Sequence, residues 1–110
     1  MTAQTIWIGD LNRRLVLEAP VETADGAGGV TRLYDIVTTL WAQVEPLAAR
    51  ADVNAASLGA ALRYRITIRK RNDITTRHRL SDGAQTYRIL SARLSADRRF
   101  LELETEVRED

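Results

Sequence analysis

At 110 residues, 45% of them hydrophobic and 28% charged, the chain has the make-up of a soluble globular domain with a modest core. With 16 basic against 15 acidic residues the net charge is +1, so no global field draws it to nucleic acid, and any such attraction must come from charge gathered locally. No cysteine is present, which excludes disulfides, thiolate metal sites and cysteine nucleophiles.

No apolar run reaches the ~20 residues of a membrane helix, and the N-terminus lacks a basic start followed by an apolar stretch. The expectation is a soluble product, cytosolic when made. A domain of this size buries roughly two-thirds or less of its unfolded surface, so oligomerisation would add useful stability. Aromatics are sparse, and the core has to be built from Leu, Ile, Val and Ala. Lys70 is the only lysine among many arginines. That bias fits either a GC-rich genome or many bidentate contacts to carboxylates at interfaces.

Residues 1–12 form an N-terminal arm carrying Ile6, Trp7 and Ile8. It packs on its own domain or docks on a neighbouring subunit, since termini are loose unless tied down. Residues 13–18 alternate as a strand with Leu15 and Leu17 on one face, and Ala19 and Pro20 weaken its end. A turn follows at residues 24–29, where Gly26, Gly28 and Gly29 can supply positive φ angles. It is not a phosphate loop, because no Gly-Lys-Ser/Thr follows and no helix is announced. Residues 30–45 read as extended, rich in β-branched residues from Ile36 to Thr39. Leu40, Ala42 and Val44 share one face, Trp41 and Gln43 the other, and Pro46 closes the run.

Residues 47–61 differ in character. They are alanine-rich with a shallow apolar stripe, and read either as a short helix capped by Asp52 or as a loop insertion. Residues 62–71 give the clearest strand: Leu62, Tyr64, Ile66 and Ile68 point one way, Arg63, Arg65, Thr67 and Arg69 the other. Asn72 and Asp73 turn the chain. Residues 77–80 and 85–94 form a hairpin across Ser81-Asp82-Gly83, with Tyr87 and Ile89 on one face. The last strand, residues 99–107, turns Leu101, Leu103 and Val107 inward and Glu102, Glu104 and Glu106 outward. The expected fold is mainly β: a small antiparallel β-barrel or sandwich of about six strands with one short helix or long loop insertion. Residues 13–110 make one domain.

The stock of reactive groups is thin. His78, the only histidine, lies between Arg77 and Arg79 and reads as surface, because catalysis or metal binding needs further ligands or a partner in reach. Ser57, Ser81, Ser91 and Ser95 have no evident base nearby. Glu102, Glu104 and Glu106 form a charge ladder in which nothing separates an acid from a base by environment. No catalytic residue, cofactor or metal is therefore expected. Charge segregation is more informative. Arg63, Arg65, Arg69, Lys70, Arg71, Arg77 and Arg79 crowd one region, offset by Asp73, whereas residues 102–110 are acidic. Three readings follow, in order of weight: ion pairs across strands within one domain, complementarity between subunits, and DNA passing near the basic strand.

The order of motifs resembles the phage head–tail joining proteins, the stopper or connector-completion subunits of tailed phages and gene transfer agents. A basic opening strand leads to Pro20-Val21-Glu22-Thr23 and a turn ending in Gly28-Gly29; an extended stretch then ends in Trp41-Ala42-Gln43-Val44-Glu45-Pro46. A Tyr-Arg-Ile-Thr-Ile-Arg strand runs from Tyr64 to Arg69, and Gly83, Tyr87 and Ile89 mark the hairpin. Arg99, Leu101 and Leu103 open the last strand. Two departures are Tyr34, where the family often has tryptophan, and a longer N-terminal arm.

The resemblance implies a subunit of the head–tail neck that forms a ring of about six or twelve copies around the DNA channel. Its partners would be itself, the adaptor or portal-side proteins, the tail-terminator proteins and packaged DNA, with no membrane and no small-molecule substrate. Its place would be the neck of a virion or phage-like particle assembled in the bacterial cytoplasm. Residues 47–61 would then be an excursion toward the lumen or a neighbouring ring, presenting Arg50, Asp52, Asn54 and Ser57. Trp7 would supply apolar affinity between subunits, and Arg63, Arg65, Arg69, Glu102, Glu104 and Glu106 would set register. Trp41 and Tyr87 would be core or interface anchors. The alternatives are a tail terminator or other neck ring protein and, from another class, a small nucleic-acid-binding β-barrel.

Overall fold

A computed structural model describes residues 7–47 and 61–108. A short 3-10 turn, Ile8–Asp10, precedes six strands: β1 (Arg13–Ala24), β2 (Val30–Pro46), β3 (Ala61–Arg69), β4 (Arg79–Ser81), β5 (Thr86–Leu94) and β6 (Phe100–Arg108). They close into an antiparallel barrel in the order β1-β2-β3-β6-β5-β4. Of the helix or loop expected over residues 47–61, residues 48–60 lie outside the described residues, as do residues 1–6 of the arm, and Ala61 already opens β3.

The alternation read in the sequence carries the interior. Leu15 and Leu17 of β1, Ala42 of β2, Ile66 and Ile68 of β3, Leu80 of β4, Tyr87 and Ile89 of β5, and Leu101, Leu103 and Val107 of β6 form one buried cluster. Tyr64 meets Tyr87 edge to face, with ring centroids 5.4 Å apart. Thr105 is the polar member of the interior row, and its hydroxyl donates to the Tyr64 carbonyl at 3.0 Å, so the buried oxygen is satisfied. Thr67, on the outward row of β3, is nevertheless buried, because Gln43 and Glu102 flank it on the neighbouring strands.

β1 and β2 run further than the alternation predicts. β1 continues through Pro20 to Ala24, and Pro20 pairs with Tyr34. β4 pairs only with Val16, Leu17 and Glu18 of β1, so from Ala19 onward the strand has one free edge, the setting in which a missing N–H is tolerated. Likewise β3 meets β2 only from Ala42 onward. The segments between are a two-stranded ribbon that leaves the barrel. A bulge marks the departure: Leu17 pairs with Thr38 but Glu18 pairs with Ile36, leaving Val37 as the extra residue.

The turns are wired by carboxylates. At the ribbon tip, Asp25 accepts from the N–H groups of Ala27 at 2.8 Å and Gly29 at 3.0 Å, with Gly26 and Gly28 at positive φ. Between β4 and β5, Asp82 accepts from Gln85 N at 2.7 Å and Ala84 N at 2.9 Å while Gly83 takes φ 95°. Between β5 and β6, the Ser95 hydroxyl contacts Asp97 at 2.6 Å, and Arg98 takes φ 61°, the one non-glycine residue described at positive φ.

The Asp82 carboxyl is held below the usual carboxylate range, first by the Gln85 N–H and then by the Ala84 N–H, the Tyr87 hydroxyl and the charge of Arg13. The folded state thus binds that proton more weakly than the unfolded chain. The stability it contributes is complete above the ordinary carboxylate value of about 4 and is lost as pH falls through the lower folded value. Asp82→Ala is expected to cost about 1–3 kcal/mol at neutral pH. Thermal melts of parent and variant should converge as pH is lowered from about 5 towards about 3. At the other turn, Arg98→Gly removes the side-chain penalty of left-handed backbone and should gain about 1 kcal/mol in urea unfolding.

Candidate functional site

The outer wall gathers the charged residues singled out in the sequence and pairs most of them within the barrel. Glu102 meets Arg93 at 3.2 Å, Glu104 meets Arg63 at 3.4 Å, and Glu106 meets Arg88 at 3.8 Å. Arg65 stands opposite Glu104 on one side and Glu45 on the other. The basic cluster of the sequence is thereby dispersed. Arg77 and Arg79 turn away to β1: Arg77 reaches Glu22 at 3.0 Å, and Arg79 reaches Glu18 at 2.7 Å while stacking 3.7 Å over the Tyr34 ring. Arg71 grips Asp73 through two hydrogen bonds, which lowers the Asp73 carboxyl and raises the guanidinium. Apart from Arg79–Glu18, which is half-buried on both sides, these pairs leave at least one partner well exposed and are worth little singly.

The reactive groups are equally occupied. The Nδ1 atom of His78 lies 3.2 Å from the Thr75 N–H, which donates to it, and 3.0 Å from the Thr75 hydroxyl, closing a local turn. Burial pushes the Tyr87 phenol up, and its hydroxyl donates to Asp82 and Gln85. Among the described residues no cluster of His, Cys, Asp and Glu is placed to hold a metal ion.

Two surfaces remain uncovered. On the ribbon, Val21 and Leu33 stand directly opposite one another, Leu33 60% exposed, and Ile36 is 70% exposed opposite Glu18. One face of the ribbon is anchored: Glu22 binds both Arg32, at 2.9 Å, and Arg77, which together hold its carboxyl below the usual range. Val21 and Leu33 lie on the other face, and Ile36, which shares the Glu22 face by alternation, is exposed as well. A two-stranded hairpin is marginal in water by itself, and exposed apolar residues in one projecting element mark a contact surface.

The second surface lies where β3 ends and β6 begins. The 3-10 turn is pinned there by Asp10, which accepts from Trp7 N at 3.1 Å, and it lies beside a groove of about 640 Å³. Leu11, Ile68 and Phe100 are buried at this end, while Trp7 and Trp41 stand 69% and 54% exposed. The Arg14 guanidinium sits 5.4 Å from the Trp41 ring centre. Trp41 is therefore an outward residue and not a core one, whereas Tyr87 is in the core. Arg69 and Lys70 line this groove and also an adjoining one of similar volume, which they share with Ile8, Trp7, Phe100, Arg98 and Arg99, the two arginines coming from the opposite side of the sequence. The backbone joins the two runs, Lys70 N donating to the Arg99 carbonyl at 3.0 Å.

Of the residues expected to contact partners, Arg63, Arg65, Glu102, Glu104 and Glu106 thus share one wall, while Trp7 and Arg69 belong to the groove. Arg50, Asp52, Asn54 and Ser57 lie outside the described residues. Sequence reasoning passed over Arg98, Arg99 and the exposed apolar residues of the ribbon. An Arg-Arg doublet directly after the Ser95-Ala96-Asp97 turn was the available signal for the first two.

Comparison with known proteins agrees with this architecture. No curated protein matches the chain. Among solved structures, a chain of the virion of a native gene transfer agent particle superposes with a TM-score of 0.71 at 25% identity, covering 90% of this chain and 96% of that one. The solution structure of a Shigella flexneri 2a protein shares the fold, with a TM-score of 0.70 at 23% identity over 93% of this chain and 96% of the other. The family model for phage head completion protein matches residues 6–108. A match over nearly the whole chain, on a barrel also found in a gene transfer agent virion, means that the chain belongs to the phage head completion protein family and is a structural protein of the virion with a head–tail role.

Proposed function

We propose that the chain is a ring-forming subunit of the head–tail neck, joining the portal–adaptor side to the tail and helping to retain packaged DNA. The observation that carries this reading is the β1–β2 ribbon. It leaves the barrel after the bulge at Val37 and holds Val21, Leu33 and Ile36 in water. A monomer gains nothing from that exposure, whereas neighbouring copies that pack on both faces of the ribbon would bury it. Repetition of one such heterologous contact closes a ring when its rotation divides a full turn.

Within that ring the two kinds of surface do different work. The apolar ribbon supplies affinity, because burying apolar side chains is favourable at about 25 cal/mol per Å². The Arg–Glu wall supplies register, because rim charges steer and discriminate more than they hold. Arg63, Arg65, Glu102, Glu104 and Glu106 serve that second role. The activity is assembly, and it calls on no catalytic residue or cofactor.

Gold-labelled antibody to the protein should mark the neck of purified particles in negative stain. Label missing from the particles, with the protein free in the cytosol, overturns the reading. Leu33→Ser with Ile36→Ser should change monomer stability by no more than about 0.5 kcal/mol, since both side chains are in water. Particles made with the double variant should lose the neck label. Normal labelling and normal particle yield from a folded variant would count against the ribbon as the ring contact.

A further inference from the structure

We propose that the groove between β3 and β6 docks an acidic segment of a neighbouring virion protein, bound extended with a bulky apolar side chain seated between carboxylates. The neck reading enters only as the source of that segment, and the chemistry stands on the groove itself. Its apolar floor runs through two adjoining cavities that share Ile8: Leu11, Leu40, Ile68 and the exposed Trp41 line the first, Phe100 and the exposed Trp7 the second. Its rim is cationic. Arg69, Lys70, Arg98 and Arg99 line it, and among the described residues none of the four forms an ion pair with a carboxylate.

The nearby acids are already engaged. Asp73 binds Arg71, Asp10 binds the Trp7 N–H, and Asp97 binds the Ser95 hydroxyl and the Arg99 N–H. Positive charge is left over, with Arg69 and Lys70 between two cavities of about 640 Å³ each and Arg98 and Arg99 on the second. The Ser95–Phe100 turn also holds Arg98 at φ 61°, where glycine is the unstrained choice, and so places a guanidinium beside the groove.

Charge complementarity chooses among the occupants. Residues 1–6 of this chain carry no acidic side chain. In a second copy, Glu102, Glu104 and Glu106 are held in the β6 ladder by arginines of their own barrel. Duplex DNA offers phosphates to the rim but no apolar group to the floor, and direct stacking on the tryptophans requires unpaired bases. A carboxylate-rich peptide with an aromatic or aliphatic anchor satisfies rim and floor together, with arginine forks meeting carboxylates.

The test uses the full chain and a fluorescein-labelled peptide, Glu-Asp-Phe-Leu-Asp-Glu, read by anisotropy up to about 1 mM. Its comparators are Glu-Asp-Ser-Ser-Asp-Glu and a labelled DNA duplex. The expected result is saturable binding of the Phe-Leu peptide, weakened about tenfold by Trp41→Ser. Arg98→Gly with Arg99→Ser should weaken it about fivefold, and because glycine suits the turn, that loss cannot be ascribed to unfolding. Carbodiimide should couple the peptide to Lys70, the only lysine. The proposal is overturned if the serine peptide binds as well, if DNA binds more tightly, if the arginine variants bind unchanged, or if nothing binds. Any of these leaves the neck labelling unaffected, so failure of the docking site and failure of the neck reading are separable.

Discussion

The closure of the sheet rests on a short seam. β1 and β4 meet through only three residue pairs, Val16 with Ser81, Leu17 with Leu80 and Glu18 with Arg79. Leu17 and Leu80 are buried there in the barrel interior, and the Glu18–Arg79 pair at 2.7 Å, half shielded beneath Tyr34, locks the outside. Without that seam β1 and β4 would be free edges flanking an open sheet, with their backbone donors and acceptors presented to other chains. With it, the interior row on every strand has a common inside. The bulge at Val37 falls within that seam, between Leu17 and Glu18, and past Glu18 the ribbon leaves the barrel. The same few contacts close the barrel and release its arm.

Charge on the barrel wall follows from that closure. Once strands on either side of β6 are in place, its outward glutamates lie between β3 and β5, both of which carry arginines outward. Mutual pairing is then the local solution, and it leaves the wall close to neutral. The uncompensated charge collects where strands end, because a strand terminus has neighbours on fewer sides. That is why Arg69 and Lys70, at the close of β3, and Arg98 and Arg99, just before β6, share one groove though they lie far apart in the chain.

The interior was legible in the sequence because period-two alternation survives reading without any knowledge of partners. Tyr64, Ile66, Ile68, Tyr87, Ile89, Leu101 and Leu103 fall on the predicted face. The Asp82-Gly83 and Asp25-Gly26 turns were legible for the same local reason, a carboxylate poised over its own backbone and a glycine at positive φ. Three features were not. Pro20 read as the end of a strand, because a proline forbids a second neighbour and the sequence does not say whether a strand has one. Trp41 read equally as core or contact, since alternation tells two faces apart without naming the inner one for a lone aromatic. The basic cluster read first as a source of ion pairs across strands, but the partners were not legible: Arg77 and Arg79 fold back to Glu22 and Glu18 of β1. In each case the missing information was long-range pairing.

The same distinction bears on how such a barrel can hold its neighbours. An arginine already paired with a glutamate on its own wall brings little new energy to an interface, because sharing it weakens the pair it leaves. Exposed pairs are worth about 0–1 kcal/mol to begin with. Affinity must therefore come from groups that have no partner at home. Among the described residues the exposed apolar groups gather in two places, Val21, Val30, Leu33, Ile36 and Val37 on the ribbon and Trp7, Ile8 and Trp41 beside the cationic groove, with Leu94 apart. A domain of 110 residues cannot enlarge its core to present more. It can extend two of its strands beyond the barrel, and apolar area there adds binding surface without asking the small interior to support it. The ribbon and the groove use different elements, one on β1 and β2 and the other on the ends of β3 and β6. One copy therefore presents two separate contact surfaces at once.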